Sequence, residues 1–202
     1  MSTVKQPSRI QQRNRAAILA SGLDAFSQSG FRGATLEQIA AAAGMSKPNL
    51  IYYFPSKEAI HITLLTELLD TWLAPLRAMG PSDDPISEIL KYAQSKLTLS
   101  RDYPRESRLF ANEILQGAPH LANTMDALKT LVDEKALLIQ GWVDAGKIVA
   151  IDPHHLIFSI WSLTQHYADF DVQVRAVLAN DDPYPGAVEH IDRVFRRLLA
   201  TD

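Results

Sequence analysis

The chain of 202 residues contains no cysteine. Disulfides, thiolate metal sites and cysteine nucleophiles are therefore excluded, and a reducing, cytoplasmic setting is compatible with that composition. Long hydrophobic runs are missing too. The longest uncharged stretch around Ile157, from Pro153 to Ala168, has 16 residues and carries three histidines. That falls short of a membrane span of about 20 apolar residues, so no membrane partner is expected. The first ten residues, Met1 to Ile10, lack an apolar centre and do not read as a signal peptide. No segment alternates apolar and polar residues between turn residues, so strands are not expected. Positive charge is not in excess either. The formal net charge is −3, and the chain as a whole is not a basic nucleic-acid binder. With 47% apolar and 21% charged residues, it has the composition of an ordinary folded protein, without repeats or low-complexity tracts.

The average charge hides an asymmetry. Residues 1–60 hold seven bases (Lys5, Arg9, Arg13, Arg15, Arg32, Lys47, Lys57) against three acids (Asp24, Glu37, Glu58), a balance of +4, whereas residues 61–202 carry −7. A basic end on an acidic body suits contact with a polyanion at that end; chance surface charge is the alternative.

Apolar residues recur at helical spacing. Ile18, Leu19, Gly22, Leu23 and Phe26 form a stripe that ends at Gly30. Thr35 precedes Leu36 with Gln38 three residues on, a capping-box pattern. Gly44 stops that short second helix. Ser46 can cap a third, with Pro48 tolerated in its first turn, running to about Tyr53. Ser56 caps a fourth that carries Leu64, Leu65, Leu68, Leu69 and Trp72 to about Pro75. Further helices read as residues 85–102, 105–116, a long one between Pro119 and Gly146, one from Pro153 to about Tyr167, and, after a loop over residues 180–186, a last one carrying Val188, Ile191, Val194, Phe195 and Leu198. The expectation is an all-α protein of about nine helices.

Residues 35–53 read as helix, tight turn, helix, with Ala43-Gly44-Met45 as the turn. Such a unit places its second helix in the major groove. Ser46, Lys47, Pro48 and Asn49 would then meet the DNA first. Lys47 can donate to guanine or to phosphate, and Asn49 can bond adenine through both amide atoms. Tyr52 and Tyr53 can donate hydroxyls to phosphate, Thr35 adds one contact, and Lys57 lies in a helix's first turn, where phosphate is favoured. Each has a plainer role: Ser46 and Thr35 as caps, Tyr53 and Phe54 as core, Lys57 as a solvated surface residue.

At this point the run GFRGATLEQIAAAAGMSKPNLIYYFPSKEAI resembles the N-terminal domain of TetR-family repressors. The strings LDTWLAPL, SRDYPRESRLF, VDEKALLIQGWVDAGKI and IDPHHLIFSIWSLTQHYADF resemble one subgroup, the RutR-type pyrimidine-utilisation regulators. The last 30 residues look less like that subgroup, and the tail before Arg15 is thinly basic. The resemblance implies a homodimeric, cytoplasmic transcription repressor, with a helix-turn-helix DNA-binding domain at 1–55 and a ligand-binding and dimerisation domain at 56–202. Its implied partners are an operator duplex and a small effector, uracil or thymine.

The residues permit such an effector. Trp161 and Gln165 are four apart and share a helix face with Asp169 a turn on. Uracil and thymine offer a carbonyl beside an N–H, which a Gln amide complements. Trp72, Phe110, Trp142 and Trp161 can wall a flat ring, or be core; Gln165 and His166 can serve ligand or dimer interface. No cofactor is expected beyond the effector, and no metal: His154-His155 are adjacent, diverge on a helix and lack a third ligand. Asp133-Glu134-Lys135 reads as a solvated face. No spaced catalytic set is visible, Glu113 near His120 being too generic, so enzymatic activity is not expected.

Overall fold

A computed structural model describes residues 8–179 and 181–201. Lys5 of the basic tail and Asn180 of the expected loop lie outside them. The described residues contain ten helices and no strand: α1 (Arg9–Gly33), α2 (Leu36–Ala42), α3 (Lys47–Tyr53), α4 (Lys57–Ala78), α5 (Pro85–Asp102), α6 (Pro104–Leu115), α7 (Ala122–Asp144), α8 (Pro153–Asp169), α9 (Asp171–Val177) and α10 (Tyr184–Leu199). The tenth, relative to the nine expected, is α9. It is a two-turn piece after Phe170 that buries only Val174, too short to show a periodic stripe. None of these helices is long and apolar enough to cross a membrane.

Two compact units are present. One comprises the described residues through Leu68 together with Leu109–His120; the other comprises Leu69–Arg108 and the chain from Leu121 onward. The division therefore falls inside α4 rather than at residue 55, and part of α6 joins the first unit. Packing explains the shift. The first turns of α4 bury Ile60, His61, Leu64 and Leu65, and Ile60 and His61 lie against Gly22 and Phe26 of α1.

In the first unit the helix ends follow the residues. The Ser8 side chain accepts from the Gln11 N–H, and Thr35 from Gln38, each in a reciprocal capping box. Ser46 accepts from the Asn49 N–H at the start of α3. Between α2 and α3 the backbone turns through Gly44 at φ +68, a left-handed conformation that glycine adopts at no steric cost. Gly22 is required for a different reason: a Cβ there would stand 2.7 Å from Cγ2 of Ile60. Ile60 is fully buried and β-branched, so it cannot swing aside. Gly22→Ala is therefore expected to destabilise the protein by about 1–3 kcal/mol, the usual effect of overpacking a tight core. A thermal midpoint equal to the parent's would contradict this.

In the second unit, α5 packs on α8 and α10, and α7 packs on α8. Leu156, Ile157 and Ile160 of α8 meet Ile191, Phe195 and Leu199 of α10 in one core cluster. The inner part of both late stripes is thus used within the chain, leaving Phe158, Val188 and Leu198 exposed. Trp142 is core. Helix α4 continues past Pro75 to Ala78; the proline sits in the last turn, where only one hydrogen bond is lost, and Leu76 and Met79 are buried beyond it. Lys135 is not on a solvated face. It is buried, and its ammonium donates to the Met79 carbonyl at 3.0 Å and pairs with Glu134 at 2.9 Å.

Candidate nucleic-acid interface and effector site

The N-terminal end of α3 is fully presented: Ser46, Lys47, Pro48 and Asn49 are all exposed. The hydroxyls of Ser46 and Thr35 serve as caps. The Asn49 side chain makes no hydrogen bond within the described residues and is available to a base edge. Lys47 Nζ lies 2.6 Å from Glu37 Oε1 of α2, and this bond holds the Glu37 carboxyl below its usual range. Both side chains are open to solvent, where such a pair contributes little, so phosphate can displace Glu37 from Lys47. Tyr52 is 73% exposed and its ring meets that of Tyr53 edge-on.

Two residues expected at phosphates do something else. Tyr53 is half-buried, and its Oη accepts from Asn14 Nδ2 at 2.9 Å, tying α3 to α1. The Lys57 ammonium donates to the carbonyls of Phe31 and Ala34 at 2.7 and 2.8 Å and lies over the Phe31 ring. Those carbonyls close α1, and a cation is favoured at a helix C-terminus. Lys57 thus fastens the end of α1 to the start of α4. Phe54 is core and carries the Arg15 guanidinium 4.4 Å above its ring.

Of the residues expected around an effector, Trp72 is buried on α4, Trp161 and Gln165 are half-buried on α8, and His166 is exposed. His166 stacks on Phe170, which assigns it to the surface. Phe110 is half-buried and belongs to the first unit. The Gln165 amide makes no hydrogen bond within the described residues. Trp161 Nε1 donates to Tyr92 Oη at 2.6 Å.

Three neighbours in the second unit were not expected from the chain, Tyr92, Lys96 and Ser107, and they gather with Trp161, Trp72 and Asp169. Lys96 is 4% exposed, with its ammonium 4.0 Å from the Trp72 ring centroid. Burial pushes its pKa down to about 7, against the opposing pull of Asp169. Burial likewise raises the Asp169 carboxyl, although Ser107 Oγ donates to it. A lysine on the stripe formed by Ile89, Leu90, Ala93 and Leu97, four residues after Tyr92, was the available signal. Trp161 also lines an open cleft of about 380 Å³ with Met125, Leu128, Val132 and Phe158. His154 at its edge pairs with Asp133.

The first unit holds one further cluster. His61 of α4, Glu113 of α6 and His120 of the α6–α7 loop bring one ligand-type atom each to within 4.8 Å of one another. His61 and Glu113 are 1% and 3% exposed. Burial lowers the His61 pKa, keeping that imidazole neutral. Burial works against the Glu113 carboxylate, yet hydrogen bonds from His61 and from the backbone and ring of His120 hold its pKa below the usual value.

Comparison with known proteins agrees with this architecture. Residues 18–62 match the family described as bacterial regulatory proteins, tetR family, and residues 65–202 match the YcdC-like protein, C-terminal region. The HTH-type transcriptional regulator RutR of Escherichia coli (strain K12) is 50% identical over 200 residues, covering 96% of this chain and 94% of that protein. The last 30 residues, which look less like that subgroup by eye, fall within the matched C-terminal region. The HTH-type transcriptional repressor NicS of Pseudomonas putida is 39% identical over 73% of this chain and 70% of its own. Among solved structures, a tetR-family regulatory protein from Rhodococcus RHA1 superposes with a TM-score of 0.76 at 20% identity, over 97% of this chain and 100% of that one. AibR in complex with isovaleryl coenzyme A and operator DNA superposes with a TM-score of 0.69 at 16% identity, over 89% and 96%. An exposed, capped recognition helix, an all-helical C-terminal unit and these matches along almost the whole chain make it a DNA-binding transcriptional regulator of the TetR family.

Proposed function

We propose that this regulator is a homodimeric repressor that releases its operator when a pyrimidine, uracil or thymine, binds in the second unit. One observation carries the effector reading: the Gln165 amide is uncommitted, one turn from Trp161 on a half-buried helix, in a chain half identical to RutR. A half-buried amide without a partner costs free energy that a ligand's paired carbonyl and N–H would recover. The Lys96 ammonium over Trp72 adds a donor suited to a ring carbonyl. Phe158, Val188 and Leu198, left exposed by the chain's own packing, are apolar residues on which a second copy can close.

Two recognition helices must stand about 34–36 Å apart to enter successive major grooves. Helix α4 begins at Lys57, which fastens α1, and carries Trp72 four turns later. A ligand at Trp72 that favours another position of α4 changes the preferred spacing. A coupling of about 1–3 kcal/mol weakens DNA binding roughly 5–150-fold.

A second reading, a different apolar or aromatic effector, is favoured by the apolar cleft around Trp161, Leu128 and Phe158. Uracil titrated against operator-bound protein tests the first reading, with the complex expected to dissociate; unchanged affinity at saturating uracil refutes it. A thermal-shift panel of pyrimidines and aromatic acids separates the two effector classes from a regulator without ligand, since only a compound bound by the folded state raises the midpoint.

A further inference from the structure

We propose that His61 Nε2, Glu113 Oε2 and His120 Nδ1 form a binding site for a divalent transition-metal ion of the zinc class, in the first unit and independent of the effector reading. Glu113 Oε2 is 3.0 Å from His61 Nε2 and 3.1 Å from His120 Nδ1. Ligand atoms bound about 2.1 Å from one ion stand roughly 3.0–3.4 Å apart at near-octahedral to tetrahedral angles. Two edges of the triangle already have that length, and the three residues can each bring one ligand atom to within 4.8 Å of the others. The donor set, two imidazoles and one carboxylate, is borderline in hardness and suits zinc, cobalt or nickel rather than calcium or magnesium. With three protein ligands, a fourth position is left to water or another small ligand.

The surroundings are those of a built site. The Glu113 carboxylate is oriented by a further bond, from the His120 backbone N–H to Oε1 at 2.7 Å. The Phe31 ring covers both imidazoles, with centroids 4.9 Å from His61 and 4.6 Å from His120, and Phe26 packs edge-on against His61. Glu58 Oε1 stands 3.9 Å from the outer nitrogen of His120, beyond hydrogen-bond distance, and adds a nearby negative charge. The Glu113 carboxylate is 3% exposed, and its partners are the two imidazoles and the His120 backbone N–H. A divalent ion placed between the three would neutralise it.

Position gives the site a consequence. His61 lies one turn after Lys57, the residue that clasps the end of α1 through Phe31 and Ala34. An ion bridging α4 to the end of α6 and the following loop would stiffen the support beneath the helix-turn-helix.

The test uses the untagged full chain, stripped by chelator and titrated with Co²⁺ and with Zn²⁺. One equivalent of Co²⁺ per chain is expected to give the visible absorption of a nitrogen–oxygen complex. Zn²⁺ at a hundred times its Kd is expected to raise the thermal midpoint by about 5–10 °C. His120→Ala, at a partly exposed loop position, is expected to weaken the ion at least 100-fold while retaining the helical spectrum, and Glu113→Gln to do the same. Absence of stoichiometric Co²⁺ binding by the wild-type chain overturns the proposal, whatever the variants do. So does binding that persists undiminished in His120→Ala, which would place the ion at a surface pair such as His154 and Asp133. Uracil response is read separately, so failure of either reading leaves the other standing.

Discussion

Asn49→Ala is expected to reduce operator affinity by a factor of about 30 to 20,000. A side chain bonded to a base edge through both amide atoms contributes about 1–3 kcal/mol of discrimination, and the proposed symmetric dimer would lose it twice, about 2–6 kcal/mol in all. The thermal midpoint should barely move, because exposed substitutions away from caps and cores change stability by about 0.5 kcal/mol or less. The cap itself survives: Ser46 accepts from the backbone N–H of Asn49, not from its side chain. Lys47→Ala provides the contrast. Its ammonium is freed from Glu37 to meet phosphate, so the loss should be similar on operator and random DNA. The slope of log affinity against log salt should flatten by about two for a dimer. Quantitative binding on both duplexes at several salt concentrations distinguishes the two signatures. Full operator specificity in Asn49→Ala would remove α3 from its role as the reading helix.

Lys96→Met is expected to make the protein more stable and deaf to uracil at once. The folded state holds the Lys96 ammonium at a pKa of about 7 against an ordinary 10.5. Between those values the unfolded chain binds the proton that the folded chain has released, so stability rises as pH climbs from about 7 to about 10.5, and the full penalty is felt below 7. Each pKa unit corresponds to about 1.4 kcal/mol. Most of that is recovered when Met replaces Lys, less the attraction that Lys96 supplies to buried Asp169. A net gain on the order of 2 kcal/mol, or about 4–8 °C in midpoint at pH 7, is the expected result, and the rise in stability above pH 7 should disappear with it. A stabilising substitution at a buried polar group that also erases ligand response is the mark of a functional site. A lower midpoint together with an intact uracil shift would show that Lys96 is structural.

The helix ends show how much could be read beforehand. The boxes at Thr35/Gln38 and the cap at Ser46 appear where spacing places them, because a cap joins residues three apart. The exposed faces of Lys47, Pro48 and Asn49 follow from the same short-range logic. Lys57 and Tyr53 do not. Their partners, Phe31, Ala34 and Asn14, lie 26, 23 and 39 residues away, and a surface charge in one dimension became a clasp in three. Lys135 repeats the lesson, meeting the Met79 carbonyl 56 residues off.

By itself, the order of residues determined an all-helical chain and the position and caps of its helix-turn-helix, since helical period and capping act over three or four residues. Tertiary packing alone decided which distant polar groups meet. Lys96 sits over Trp72, and His61 reaches Glu113 across 52 positions with His120 a further seven beyond it. Burial removes water from such groups and leaves them only one another, and no local pattern records which partners the fold will supply.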